Sequence, residues 1–509
     1  MKFFSNNLLA AAAVTHNSIA SAWVHQPSSS LKSRAAATTS TSLGESTAVD
    51  NVILRPSADD PERFDSLSIG HCRVHRYARD IGGDPTDSEY VLWYHGRDRG
   101  LNAEANALPP LSTGRIGRAT SRNGLVWEKC NLGSGSETKP AVSLGLNEES
   151  WWNFDTAHVG LGQVMLPMST PAVISEGGVY LMYYCGGTHE ETLVSSYLDD
   201  PTAVPDDATI KGMNLRIGIA MSQDGLTWGR VEGDDPTGAM VVPFDSSDPN
   251  QRWMTAEAGY KDEDGSIIHL DEELYCGWPE VVVHYIEGED SPPSGSGKTK
   301  PPAFHMYYST MLKDSKTKAI GFAVSEDGFR WLKRGTCLRP SDDGMDDGGC
   351  ARCNVVRNQQ YDADRGLWQD TEGWTMYYEG VSLKDGKHRI MAAESLDGRD
   401  WKKLGVVMDV GKEADGGWDF NGVGSPQVLR CVIIFFTNAL FNIQRLGTHF
   451  FFTLYFLSGW KMGRSACITL AREGEGRRAS GSPRPVATAS PSLSGSRLGS
   501  ASLDGLFSS

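Results

Sequence analysis

The chain has 509 residues, with 64 acidic against 48 basic side chains and a formal net charge of −16. That balance excludes the clustered basic surface through which proteins grip a phosphate backbone, and with it a nucleic-acid partner. Fifty-six glycines among short runs of Val, Tyr and Trp describe a turn-rich β protein, and nine scattered cysteines, an odd number, exclude a small disulfide scaffold.

Residues 1–48 read as a targeting presequence. Lys2, an apolar run from Leu8 to Val14 and the small-residue pattern Ala20-Ser21-Ala22 have the parts of a signal peptide, and the run is too short to span a bilayer. The stretch after Trp23 is rich in Ser, Thr and Ala, carries Lys32 and Arg34, and holds no acidic residue before Glu45, as transit segments do. The combination resembles the bipartite presequences of algae with complex plastids and implies plastid import; plain secretion is the alternative.

From about residue 55 to residue 430 three short elements recur in the same order. The first stacks a small or polar pair, Pro or Cys, a variable residue and Val: IGHCRVH from 69, MSTPAVI from 168, CGWPEVV from 276, CARCNVV from 350 and VGSPQVL from 423. The second is aromatic: LWYHG from 92, MYYCGG from 182, MYYST from 306 and MYYEG from 376. The third is SRNGLVW from 121, SQDGLTW from 222, SEDGFRW from 325 and SLDGRDW from 395. Asx-Gly after an apolar run marks a hairpin turn, because Gly takes positive φ and the Asx side chain bonds its own backbone, while the Trp opens the following strand. Several strands per unit, with one aromatic and one Gly signature each, predict an all-β fold, a five-bladed β-propeller with blades beginning near residues 60, 150, 270, 345 and 415.

The fifth repeat departs from the pattern. GWDFNGVGSPQVLR opens it, but residues 431–458 are an apolar stretch interrupted by Asn442, Gln444, Arg445 and His449, which argues against a membrane span. Neither the Tyr-Tyr element nor the Ser-x-Asp-Gly-x-x-Trp element returns. The fifth blade is expected to be incomplete, with 431–509 as an aberrant apolar segment followed by a disordered tail rich in Ser, Gly, Arg and Pro.

The hairpins, the MYY strands and the Trp-Asp-x-x-x-Val-Gly-Ser-Pro run at 418–426 resemble the arabinanase/levansucrase/invertase superfamily, five-bladed propellers that include glycoside hydrolase families 43 and 32. The resemblance implies hydrolysis of glycosidic bonds in an oligo- or polysaccharide at the central funnel. That chemistry needs an acid to protonate the leaving oxygen and a base or nucleophile on the opposite face. The family's carboxylates precede Pro on the inner strands, where this chain carries His71-Cys72, Thr170-Pro171 and Gly277-Trp278-Pro279. Glu280 is the nearest displaced acid, with pairing to Arg73 as its alternative role. Asp65 and Asp155 are the nearest pair for a base and its helper, although the shared aromatic-Asp-x-x-x-Val/Ile-Gly pattern, repeated at Asp419, favours a structural use.

Residues two apart on a strand share a face. His71 with Arg73, Trp278 with Glu280, and Arg352 with Asn354 are therefore expected to line the funnel together with His95, Trp278 supplying an aromatic platform for a sugar. Two arginines exceed what a neutral sugar requires, so an anionic ligand such as a sugar phosphate or a uronic acid enters as an expectation. No motif implies a cofactor or metal, since Cys350-Ala-Arg-Cys353 has no second pair at zinc spacing. Two functions follow: a glycoside hydrolase, or a non-catalytic propeller that binds a carbohydrate or a plastid protein.

Overall fold

The computed structural model describes residues 52–61, 63–78, 88–98, 114–124, 126–132, 139–140, 142–166, 179–198, 204–283, 304–362, 367–412, 419–432 and 449–456. The presequence and the tail lie outside them. Among the described residues helix is confined to two short 3-10 turns, Val194–Tyr197 and Arg252–Met254, and no helix is long and apolar enough to cross a membrane.

The protein is a β-propeller. In the first blade the strands Ser68–Ala78, Ser88–Arg97, Arg115–Ser121 and Glu128–Lys129 pair in chain order, and Val142–Leu144 adds to the third. The second blade comprises His158–Met165, Tyr180–Gly187, Leu215–Ser222 and Gly229–Val231. Glu273–Val283, Phe304–Leu312, Lys318–Ser325 and Leu332–Leu338 make the third. Gly349–Asp362, Leu367–Val381, His388–Ser395 and Lys402–Met408 make the fourth. A fifth sheet has two strands, Gly424–Val432 and His449–Phe456, so the described residues leave this blade without its third and fourth strands. The first strands of successive blades touch in cyclic order, one to two through to five, and the fifth returns to the first. These inner strands therefore surround the axis.

One inner strand differs from the sequence reading. In the second blade it is HVGLGQVM at 158–165 and not MSTPAVI, whose residues fall in the segment 167–178 outside the description. Gly162 stands there where the other blades have Cys or Pro, which removed the Pro that the alignment followed.

The second strands are buried on both faces because each blade is packed between two others. Phe304–Leu312 is buried at every position, which is why MYYST reads as a continuous apolar run instead of an alternating one. Each recurrent hairpin joins a third strand to a fourth. In its turn the Ser hydroxyl accepts the Gly N–H, at 2.9, 2.8, 2.8 and 2.9 Å for Gly124, Gly225, Gly328 and Gly398. Asp224 Oδ1 accepts the N–H groups of Leu226 and Thr227, both at 2.8 Å, and Asn123 Oδ1 accepts that of Val126 at 2.9 Å, so the carboxylate charge is dispensable.

The same turns clasp adjacent blades. Trp93 Nε1 of the first blade donates to Gly225 O of the second at 2.6 Å, and Tyr183 OH of the second donates to Gly328 O of the third at 3.0 Å. Tyr307 OH of the third donates to Gly398 O of the fourth. Gly328 has φ +77°, and a Cβ there would lie 2.9 Å from the Tyr183 hydroxyl. Gly328→Ala is expected to lose about 1–3 kcal/mol in urea denaturation, while Asp224→Asn changes little. Equal effects from the two would overturn this account of the turn.

Candidate functional site

Every inner strand carries a register irregularity at one level: between Gly70 and Cys72, Leu161 and Gln163, Gly277 and Glu280, Ala351 and Cys353, and Gly424 and Gln427. In four of them a non-glycine residue takes left-handed backbone there: His71 (φ 31°), Trp278 (45°), Arg352 (34°) and Ser425 (53°). Such a conformation costs an L-residue about 1–2 kcal/mol that glycine would not pay. Four different side chains kept at strained positions around one axis are the kind of feature that marks a working site.

Past the bulges lies a polar layer built from Arg73, Gln163, Glu280, Asn354 and Gln427, one from each inner strand. Arg73 reaches across the axis from the first blade to the third, its Nη2 donating to Glu280 Oε2 at 2.5 Å, and its Nη1 donates to Gln427 Oε1 at 3.3 Å. Glu280 Oε1 accepts from Asn354 Nδ2 at 2.8 Å and from the Val355 N–H at 3.0 Å. Asn354 Oδ1 takes the Val428 N–H at 2.9 Å, and Gln163 Nε2 donates to Val281 O at 3.3 Å. Burial pushes the Glu280 carboxyl up and the Arg73 guanidinium opposes it. Both carboxylate oxygens are occupied and the side chain has no exposed surface. Arg73, Glu280 and Asn354 thus form one stitched network across the axis.

Asp65 and Asp155 are elsewhere. Asp65 Oδ2 accepts Tyr94 OH at 2.9 Å and pairs with Lys129; Asp155 Oδ2 accepts Tyr184 OH at 2.9 Å and pairs with Arg230 Nε at 2.6 Å. The third and fourth blades repeat the device with Glu273, Tyr308 and Lys333, and with Asp346, Tyr378 and Lys403. The structure does not bring Asp65, Asp155 and Glu280 together: they share no partner, and the two aspartates serve separate blades. The basic member always stands two residues after the hairpin Trp, a signal present in the sequence that the repeat analysis passed over.

Trp278 is not a platform on the axis. Its ring packs between blades with Cys185, Tyr197, Leu215, Tyr275 and Met311, and the Arg352 guanidinium lies 5.2 Å from its centroid. The bulge breaks the alternation that would have put Trp278 beside Glu280.

Beyond the bulges, at the end of the ring where the second strands finish, a second cluster forms. Arg352 Nη2 lies 3.4 Å from Glu379 Oε1, and its Nη1 donates to Ser425 Oγ at 3.3 Å. Glu379 also meets His388 Nδ1 at 2.5 Å and accepts the Ser425 N–H at 2.9 Å. Although burial pushes the other way, Arg352, His388 and this N–H hold the Glu379 carboxyl down at about 2. Arg97 Nε donates to His95 Nε2 at 3.4 Å, and His95 stacks at a tilt on His158 with centroids 5.2 Å apart. Burial and the positive charge of Arg352 lower Arg97 to about 10. Burial, seconded by Arg73 and Arg352, takes His71 well below its ordinary range; burial, seconded by His158 and Arg97, does the same to His95. Both are neutral at pH 7. His71 Nε2 faces Gly162 O at 3.2 Å and so carries the proton, leaving Nδ1 as a buried acceptor that meets no hydrogen-bond partner among the described residues.

The Glu379 cluster predicts a pH dependence. A folded pKa of about 2 against an ordinary 4.5 makes its contribution complete above roughly pH 4.5 and lost as pH falls toward 2. Wild-type stability is expected to fall about 3 kcal/mol further than that of Glu379→Gln between pH 5 and pH 2 in urea titrations. Parallel acid limbs would contradict it.

No group of three or more His, Cys, Asp or Glu that could hold a metal ion occurs among the described residues. Cys350 and Cys353 are buried with their thiols pushed well up by that burial, the opposite of a reactive pair.

No protein-family model and no curated protein matches the chain. Solved structures similar to it include a glycosyl hydrolase from Bacteroides ovatus, with 11% identity and TM-score 0.44 over 83% of this chain and 93% of that one. Another is a mannoside phosphorylase family member described as targeting β-1,2 mannosidic linkages in Candida mannan, with 12% identity and TM-score 0.43 over 84% and 94%. A Bombyx mori β-fructofuranosidase follows at 12% identity and TM-score 0.39 over 79% and 60%.

Proposed function

We propose that the protein is a carbohydrate-binding propeller that does not cleave glycosidic bonds through the carboxylates its sequence nominates. One observation carries this reading: Glu280, Asp65 and Asp155 are all fully buried and all engaged by other residues of the chain. A general acid has to touch the glycosidic oxygen, and Glu280 has no exposed surface and both oxygens engaged within the chain. What the end of the ring does offer is hydrogen-bonding capacity suited to a hydroxylated ligand, in the half-buried guanidinium of Arg97.

The test pairs a hydrolysis screen on arabinosyl, fructosyl, mannosyl and galacturonosyl substrates with a glycan-array measurement on the same preparation. Binding without turnover is the expected result. Turnover that disappears in Glu280→Gln at unchanged folding stability would restore the hydrolase reading. The presequence supports plastid import as the place of action; a fluorescent protein carrying residues 1–48 should enter the plastid, and its secretion would refute that.

A further inference from the structure

Trp93, Trp228, Trp278, Trp331 and Trp374 are buried in or between the blades. Trp151 and Trp152 are not: they are 86% and 53% exposed, with ring centroids 6.0 Å apart and planes crossed at 89°. We infer that this crossed pair, on the loop leading into the second inner strand, holds a single soluble chain of neutral polysaccharide, an inference that rests on the carbohydrate reading and names the form of its ligand.

The loop is tied so that the two rings stand outward. Asn147 Oδ1 accepts the N–H groups of Glu149 and Ser150 at 3.1 and 3.3 Å, the Asn147 N–H donates to Asp155 O at 3.0 Å, and the Asn153 N–H donates to Ser150 O at 3.1 Å. Phe154, next along, is buried, stacks on Tyr184 with centroids 5.5 Å apart and donates its N–H to Thr237 O at 3.2 Å. With both ends of the loop fixed, much of the ordering cost of binding is met in the free protein. Buried, these indoles would stabilise the fold; exposed side by side, they stabilise only what lands on them.

The surroundings select the ligand. An indole face carries negative charge density and takes the C–H face of a pyranose, whose hydroxyls then need polar neighbours. Glu148 and Glu149, exposed and just before the pair in the chain, offer carboxylate acceptors. The same charges, with the formal −16 of the whole chain, oppose the phosphates of a lipid surface and the carboxylates of an acidic polysaccharide. Glutamate is also depleted from the cores of protein–protein interfaces. A neutral hydroxylated ligand remains. The crossing angle decides its form, because planes at 89° cannot both lie on one flat crystalline face, whereas a chain that turns between sugars can set one on each ring. The loop enters His158–Met165, and His158 lies against His95, so the pair stands at the end of the ring that carries Arg97. The backbone from Trp152 to His158 spans at most about 20 Å.

Affinity electrophoresis of the full chain through native gels containing mixed-linkage β-glucan, galactomannan, dextran or polygalacturonate tests the inference. Beside it run sedimentation with crystalline cellulose, flotation with phosphatidylcholine and phosphatidylserine vesicles, and light scattering for mass. At least one of the three neutral polymers is expected to retard the wild type, and Trp151→Ala/Trp152→Ala should bind it about tenfold more weakly at an unchanged urea midpoint. Trp151→Phe/Trp152→Phe should keep part of the affinity. On the unaltered chain, the bound polymer should shield exposed tryptophan from acrylamide quenching. Equal retardation of the wild type and the alanine variant, or none by any neutral polymer while short glycans bind the array, would overturn the inference and leave the carbohydrate reading standing. Loss in Arg97→Gln alone would place the polymer at the axis, with the same consequence. Stronger binding to polygalacturonate or to cellulose would overturn the charge or the form of the ligand. Vesicle binding, or a dimer, that the alanine variant abolishes would give the pair to a lipid surface or to a second copy of the chain. Failure of every sugar to bind would remove both readings.

Discussion

Glu280→Leu is expected to cost about 3–5 kcal/mol of folding stability, measured by urea denaturation of the full chain. The substitution leaves the Arg73 guanidinium, itself 1% exposed, without its carboxylate and strips Asn354 Nδ2 and the Val355 N–H of their acceptor. The double variant Arg73→Met/Glu280→Leu removes both charges and should recover most of the loss, since a buried ion pair replaced by apolar side chains of similar volume is often neutral. This pair of measurements also separates structure from catalysis. A catalytic acid would lose turnover at little cost in stability; an axial strut loses stability whatever the substrate. Single and double variants both as stable as the wild type would remove the strut.

Lys333→Met is expected to have an effect of the same size, about 3–5 kcal/mol. Lys333 and Glu273 are paired with both side chains nearly inaccessible to water. Removing the ammonium abandons a buried carboxylate that still holds Tyr308 OH at 2.8 Å and the Phe244 N–H at 2.8 Å. Lys402→Met makes the control: its partner Glu394 lies in the neighbouring strand with both side chains well exposed, and such pairs are worth about 0–1 kcal/mol. A comparable loss from Lys333→Met and Lys402→Met would mean that the third blade does not depend on its buried pair.

Much of the architecture was legible in the sequence because the repeated residues do repeated local work. Asx-Gly with an upstream Ser makes the same turn four times, and the paired aromatics mark the second strands because one ring clasps the next blade and the other bonds its own blade's carboxylate. The site was harder to read. The recurrence of Asp65 and Asp155 pointed to a structural use, but their partners, Lys129 and Arg230, lie 64 and 75 residues downstream and no local pattern named them. Asp346 keeps the spacing of Asp65 to the bulge but follows Met345, and Glu273 stands one residue nearer its bulge and follows Glu272, so neither shows the Phe-Asp pair of the other two. The alternation rule placed Trp278 on the axis, and the bulge beside Pro279 turned it into a blade interface.

The hairpin clasps have a direction. Each runs from one blade to the next, from Trp93 to the second, from Tyr183 to the third and from Tyr307 to the fourth. The corresponding ring on the fourth blade is Tyr377, half-buried where its counterparts are fully enclosed. Four blades are therefore linked by clasps as one cooperative run, and among the described residues the joint to the fifth carries no hairpin clasp. Local opening should begin at that joint, so amide hydrogens of Gly424–Val432 should exchange with solvent well before those of Phe304–Leu312, at the middle of the clasped run.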